Sequence, residues 1–255
     1  MKKRGLIALL VLVLGIGMIA YSAPRLLEAR QIFDEGDTAY RALRNEVVIS
    51  SASGLETHPE TASEAQALLQ RVDFKTLRAI NEDAVAWLYS PGTMIDYPVV
   101  RAHEYNYYLF HLLDHSYNGN GTLFIDYNNA PDFSERLTVI YGHHMDTEMM
   151  FTSLMGYKNQ DYYGEHPCMY LYTETDIYRV DLIYGCVIGA GEWRSRAFMF
   201  EANLDELLAY SAAHSTFVSN VSYKEGDRVV AMSTCSFEFD DARYVVLGIL
   251  RRIEN

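Results

Sequence analysis

Three cysteines is an odd count, so at least one thiol among Cys168, Cys186 and Cys235 stands outside any internal disulfide. None of their spacings is a zinc signature. Cys168 and Cys186 flank an expected hairpin, where a bridge and two buried free thiols are equally open. Positive charge is also scarce: 21 Lys and Arg face 34 Asp and Glu, a net charge of -13. With no local basic patch, a phosphate backbone is repelled, which excludes nucleic acid as a partner. The acidic balance otherwise speaks only to solubility. The chain also lacks internal repeats and a glycine-rich phosphate loop, which removes the common nucleotide-binding readings.

A chain of 255 residues, 49% hydrophobic, holds one well-packed domain and an appendage. Twenty Tyr, 11 Phe and 2 Trp suit half-buried strand positions and predict a β-rich fold. The N-terminus begins Met1-Lys-Lys-Arg4 and continues with nineteen uncharged, mostly apolar residues, 5–23. As a helix that stretch is about 28 Å long, enough to cross a bilayer. A signal peptide competes, but its apolar core is shorter, and a cut after Ala23 leaves Pro24 at the new terminus. An uncleaved anchor is the expectation, with the basic start inside and residues from Pro24 onward outside the cytoplasm.

Residues 25–48 carry Leu26, Leu27, Ile32, Phe33, Tyr40 and Leu43 at helical spacings, an amphipathic helix. A polar connection is expected over 50–64, and a second helix over 65–80 burying Leu68, Leu69, Val72, Leu77 and Ile80. The main domain starts near a short strand, 84–89, followed by a Pro91-Gly92 turn. Residues 95–100 alternate like an edge strand, because Pro98 cannot donate to a ladder. Further strands are expected over 121–126, 137–141, 168–173, 177–188 and a closing pair, with helical insertions at 151–155 and 204–213. Short strands between turn signals predict a closed or nearly closed barrel of about eight strands.

The closing pair carries the first candidate chemistry. Two apolar runs, 229–232 and 244–250, flank a polar and acidic connection, so Cys235 closes one run and Arg243 opens the other. An antiparallel pairing sets thiol and guanidinium together, and a fixed cation beside a thiol favours the thiolate. A buried cysteine and a surface arginine remain open for these two alone. Of the eight histidines, His143 stands out because it follows the strand 137–141 through Gly142 and is held at the sheet rim. A Cys, a His and an Arg converging at strand ends are the set for covalent acyl transfer. The alternative, a metal cluster at His143-His144-x-Asp146, lacks a third ligand and the one-helix-face geometry.

Ser233-Thr-Cys235 with Arg243 eight residues on, Val139-Ile-Tyr-Gly-His143-His-Met145, Val85-Ala-Trp-Leu88, Pro91-Gly-Thr93 and Asp96-Tyr-Pro-Val-Val100 occur in one order. Together they resemble a class B sortase over residues 72–250. The resemblance implies a transpeptidase of Gram-positive-type bacteria: a membrane anchor (1–24), a helical extension (25–82) and a catalytic β-barrel (83–255) on the extracellular face. It implies cleavage of a C-terminal sorting signal of secreted surface proteins after its threonine. The acyl group is held as a thioester and passed to an amine of a peptidoglycan precursor or a pilin. It assigns Cys235 as nucleophile, His143 as general acid and then base, and Arg243 to substrate or oxyanion. Ser233, Thr234 and Trp193 fall beside the signal, and neither metal nor cofactor is called for. A thiol at about 8.5 and an imidazole at about 6.5 are both largely neutral at about pH 7, so the pair acts through a minor ion-pair population or is tuned. The rival readings are a cysteine peptidase that lets water resolve the thioester and a catalytically silent membrane-tethered binding module.

Overall fold

In the computed structural model, residues 2–48, 72–104, 106–197 and 203–253 are described. Eight strands, β1 (Ala84–Tyr89), β2 (Asp96–Arg101), β3 (Leu123–Ile125), β4 (Leu137–Tyr141), β5 (Cys168–Tyr172), β6 (Ile177–Gly189), β7 (Val229–Cys235) and β8 (Ala242–Arg252), close into a barrel. Their order is β1-β2-β3-β4-β7-β8-β6-β5, with β5 pairing back onto β1. The pairs β2–β3 and β4–β7 are parallel and the remaining pairs antiparallel. The helices are α1 (Lys2–Val47), α2 (Phe74–Ile80), α3 (Gln160–Glu165), α4 (Ala190–Ala197) and α5 (Leu204–Ala213). Short 3-10 segments cover Tyr107–Leu109 and Thr152–Lys158. The expected closed barrel is the observed one.

The closing strands read as continuous apolar runs because both of their faces are covered. Val230, Met232, Tyr244 and Val246 point into the main core with Trp87, Tyr97 and Phe151. Their neighbours Val229, Ala231, Val245 and Leu247 point outward, under Trp193 of α4 and Leu204, Leu207 and Leu208 of α5. Two residue parities thus serve two clusters, one inside the barrel and one between barrel and helices. At the far end of the pair, Arg251 holds Asp227 with bonds of 2.5 and 3.1 Å.

The apolar N-terminal stretch and the amphipathic stretch form one helix, α1, with Pro24 in its interior. Proline removes one backbone donor there, a local loss that the rest of the ladder outlasts. By length and composition, an 18-residue stretch within Val11–Val47 is apolar enough to cross a membrane, and none of that stretch is buried; a signal sequence meets the same test. The C-terminal part of α1 docks on the barrel. The Tyr40 hydroxyl donates to the Gly121 carbonyl at 2.6 Å, and Asn118 and Asn120 donate to the Ile32 and Phe33 carbonyls at 2.8 and 3.1 Å. Gly36 sits beneath these amides: a Cβ there would lie 2.2 Å from Asn120 Nδ2 and 2.9 Å from Asn118 Oδ1.

Three expectations are corrected. Strand β2 is no edge, since it pairs with β1 and β3; Pro98 fits because the β3 ladder begins one residue later, at Val99. The helix expected over 65–80 begins at Phe74, capped by the Asp73 carboxylate on the amides of Lys75 and Thr76. Val72 instead forms a β-bridge with Val48. The connection at 50–64 and the first part of the 65–80 helix, including Leu68 and Leu69, lie outside the described residues. Finally, α3 and α4 had no counterpart in the expectation.

Gly36→Ala tests the docking. At an exposed helix position this change adds about 1 kcal/mol through propensity. Here it displaces Asn120 from the Phe33 carbonyl, and a net loss of about 1–2 kcal/mol is expected in thermal unfolding. Asp227 supplies a pH signature. Burial pushes its carboxyl up, but the Arg251 guanidinium and the Lys224 amide outweigh that and hold it below its usual range. A depressed carboxylate stabilises the fold above its unfolded value, and the contribution is lost as pH falls through the folded one. Asp227→Asn should therefore cost about 1 kcal/mol at pH 7, with allowance for the half-exposed arginine, and progressively less below about pH 4.

Candidate active site

Two ladders meet at the end of β7. Across the antiparallel ladder, Cys235 is the register partner of Arg243. Across the parallel ladder, Leu137 pairs with Val229 and Tyr141 with Ser233, so two residues further the same register falls on His143 and Cys235. The odd-numbered residues of β4, β7 and β8 face the outer cluster, and His143, Cys235 and Arg243 continue that parity. The strand-end cysteine is thereby flanked by an imidazole on one side and a guanidinium on the other. These three side chains line one cavity of about 180 Å³ together with Leu109, Phe124, Tyr141, Gly142, Ala190, Trp193, Arg194, Ser233 and Thr234. A larger concavity of about 790 Å³ lies at the opposite rim, against Ala84, Arg101, Asp176 and Arg228. It contains no thiol among the described residues, and its Arg78 and His103 pair with Glu174 and Asp83 at 2.9 and 2.6 Å. The smaller cavity is where the chemistry converges.

His143 is held from three directions. Gly142 donates its amide to the Ser233 carbonyl at 3.2 Å, and a Cβ on it would meet Leu123 Cδ2 at 2.4 Å and Phe151 Cδ2 at 2.7 Å. Only glycine lets the chain pass beneath those side chains. The His143 carbonyl accepts from the Phe151 amide at 2.9 Å. Its Nε2 lies 2.7 Å from the Leu109 carbonyl, which can only accept, so the proton sits on Nε2 and the neutral ring keeps its lone pair on Nδ1. The neighbouring His144 turns the other way, with Nδ1 2.9 Å from the Cys235 carbonyl, so the two rings do not share a metal-ligand geometry.

The cavity wall offers unspent hydrogen-bonding capacity. Ser233 and Thr234 are each 2% exposed and Trp193 3%, yet their hydroxyls and indole N–H have no partner among the described residues. Each such group costs about 1–3 kcal/mol when left dry, which the polar atoms of a bound ligand would recover. On the rim, Glu238 of the acidic β7–β8 connection forms an ion pair with Lys158. Cys235 is exposed, whereas Cys168 and Cys186 are buried, and none of the three is in a disulfide. Burial pushes both buried thiols up to about 11.

Every expected site residue, Cys235, His143, Arg243, Ser233, Thr234 and Trp193, lines this one cavity. Sequence reasoning missed the Leu109 carbonyl, Arg194 and His144. A backbone acceptor leaves no mark on residue identity, and Arg194 belongs to the helix that was not foreseen. His144, adjacent to His143, was visible only as part of a candidate metal cluster.

No family model matches the chain. It is 27% identical over 219 residues to sortase B of Listeria monocytogenes, covering 84% of this chain and 88% of that protein. Among solved structures it resembles a Streptococcus pyogenes class B sortase involved in pilus biogenesis, with 28% identity and a TM-score of 0.64 over 71% of this chain and 98% of that one. It also resembles Staphylococcus aureus sortase B solved as a substrate complex, and a sortase B complexed with triglycine, each at 24% identity and a TM-score of 0.65 over 71% of this chain and 85% and 86% of those chains.

Iodoacetamide at neutral pH should alkylate one cysteine per folded chain, and Cys235→Ala should reduce that to none. Intact mass before and after denaturation checks it: a second adduct on the folded protein contradicts the burial of Cys168 and Cys186.

Proposed function

We propose that the chain is a class B sortase, a cysteine transpeptidase, with Cys235, His143 and Arg243 as its working residues, a reading supported by its likeness to sortase B proteins. The observation that carries this is the register, which sets His143 and Arg243 on either side of the one exposed cysteine. The Cys235 thiol passes its proton to the lone pair on His143 Nδ1, and the thiolate so formed attacks the carbonyl carbon of the threonine in a sorting signal. Charge builds on the carbonyl oxygen, and the Arg243 guanidinium holds that oxygen or orients the substrate. The carbon–nitrogen bond then breaks, and the departing amine takes a proton from His143. With Nε2 committed to Leu109, Nδ1 is the nitrogen that exchanges it. In the second half an incoming amine attacks the thioester and gives its proton back to His143, and Cys235 leaves as thiolate. Ser233, Thr234 and Trp193 bind the signal through the polar groups left open in the wall.

The acceptor in this reading is an amine of a peptidoglycan precursor, in line with the triglycine complex of a sortase B. The pilus-related Streptococcus pyogenes relative favours a second reading, in which a pilin amine takes its place. We assign residues 1–24 to a single-pass anchor, 25–82 to an extension and 83–255 to the catalytic domain, facing the cell exterior. The apolar α1 supports this assignment.

The test uses the full chain in nanodiscs with a quenched sorting-signal peptide and a panel of acceptors: triglycine, a lysine-bearing pilin peptide, and water alone. Cys235→Ala should abolish turnover, His143→Ala should lower kcat by about 10²–10⁴, and Arg243→Ala by about 10²–10³. Retained turnover in Cys235→Ala defeats the assignment. Hydrolysis without any amide product points to a peptidase.

A further inference from the structure

The parallel ladder between β4 and β7 ends abruptly, and its next rung is made by a side chain. In a parallel pair, every second amide of one strand donates to a carbonyl of the other. The Gly142 amide donates to the Ser233 carbonyl at 3.2 Å, so the next rung in sequence joins the His144 amide to the Cys235 carbonyl. The backbone does not supply it. At His144 the chain has left the strand and bridges to Met150 instead, in a turn where Glu148 and Met150 take positive φ of 60° and 53°. The His144 imidazole swings back to take over the rung, with Nδ1 2.9 Å from the Cys235 carbonyl oxygen. A carbonyl only accepts, so Nδ1 carries the proton. The outer side of the ring lies against exposed Phe237, 5.0 Å between centroids.

This substitution has a geometric consequence. Were the ladder continued by backbone, residue 143 would be locked into the strand. With the rung moved to a side chain, the His143 backbone is released to turn and bond Phe151, while the carbonyl of Cys235 stays tied to the His143 loop. We propose that His144 is a positioning residue for the transpeptidase reaction: its Nδ1–H fixes the end of β7, and with it the Cys235 thiol, relative to the His143 ring. The inference rests on the assignment of Cys235 and His143 above. His144 touches no reacting atom, and its role is to keep nucleophile and proton carrier at one spacing through both halves of the cycle.

Four variants separate this from a general structural role. Asparagine places its amide nitrogen where Nδ1 sits, glutamine places it where Nε2 sits, phenylalanine keeps the ring on Phe237 without a donor, and alanine removes both. In full chain with the sorting-signal peptide, His144→Ala, His144→Phe and His144→Gln should each lower kcat by about 10-fold or more with KM within about 2-fold, the pattern of misplaced reacting groups. His144→Asn should recover to within about 3-fold of the parent, since the donor alone is required. Should alanine fail to fold, the phenylalanine and asparagine pair still decides. Parent-like kcat in His144→Phe overturns the proposal, as does His144→Asn being as slow as His144→Phe, which would make the imidazole itself chemical. Cys235→Ala runs alongside: if it retains turnover the underlying assignment has failed, whereas an inert Cys235→Ala beside a fully active His144→Phe removes this inference alone.

Discussion

The arrangement of the site depends on one constraint, the parallel register between β4 and β7. Five residue pairs, Leu137 with Val229 through Tyr141 with Ser233, fix the offset between the two strands. Each strand is covered on both faces, so a one-residue slip would turn Leu137 and Val139 from the outer cluster into the main core. The hydrophobic cost of that slip is what keeps the histidine opposite the cysteine. Packing far from the cavity thus sets its geometry, and the barrel's closure leaves no free edge along which the strands could shift.

Around that axis the protein adds fine adjustments at the strand ends. Gly142 lets β4 turn where any side chain would strike Leu123 and Phe151. The Leu109 carbonyl then chooses the His143 tautomer, and the His144 ring takes the place of a lost backbone rung. Leu109 belongs to the same loop that receives α1: the Thr122 hydroxyl sits 2.8 Å from Tyr40 and donates to the His111 carbonyl, two residues beyond Leu109. Helix docking and histidine placement therefore share a segment.

Much of this is written in local pattern. The two closing runs, the polar connection between them, and the strand ending at Gly142-His143 all follow from residue type and period, because each element buries a face that shows in its sequence. What escapes is contact between distant segments. The β4–β7 pairing joins stretches roughly ninety residues apart, and nothing in either stretch names its partner. Helix α4 escaped for another reason: Gly191 and its polar neighbours carry weak propensity, and the helix is held by tertiary burial of Trp193 and by the Glu192–Arg196 pair. Pro98 misled in the opposite direction: it pairs with Trp87 on one side, and on the other the β3 ladder starts only at Val99, which accommodates a proline as well as a sheet edge does.

The parallel crossover also has a consequence in time. A chain emerging from its N-terminus makes β1 to β6 before β7 and β8 exist, and the cysteine and arginine arrive on those last two strands. His143 waits on an incomplete sheet, with neither the Ser233 carbonyl that anchors Gly142 nor the Cys235 carbonyl that receives His144. Until the final strands insert, the emerging chain has no assembled cleft, so a chain that stalls before its last segment carries His143 without the thiol and guanidinium that line the cavity beside it.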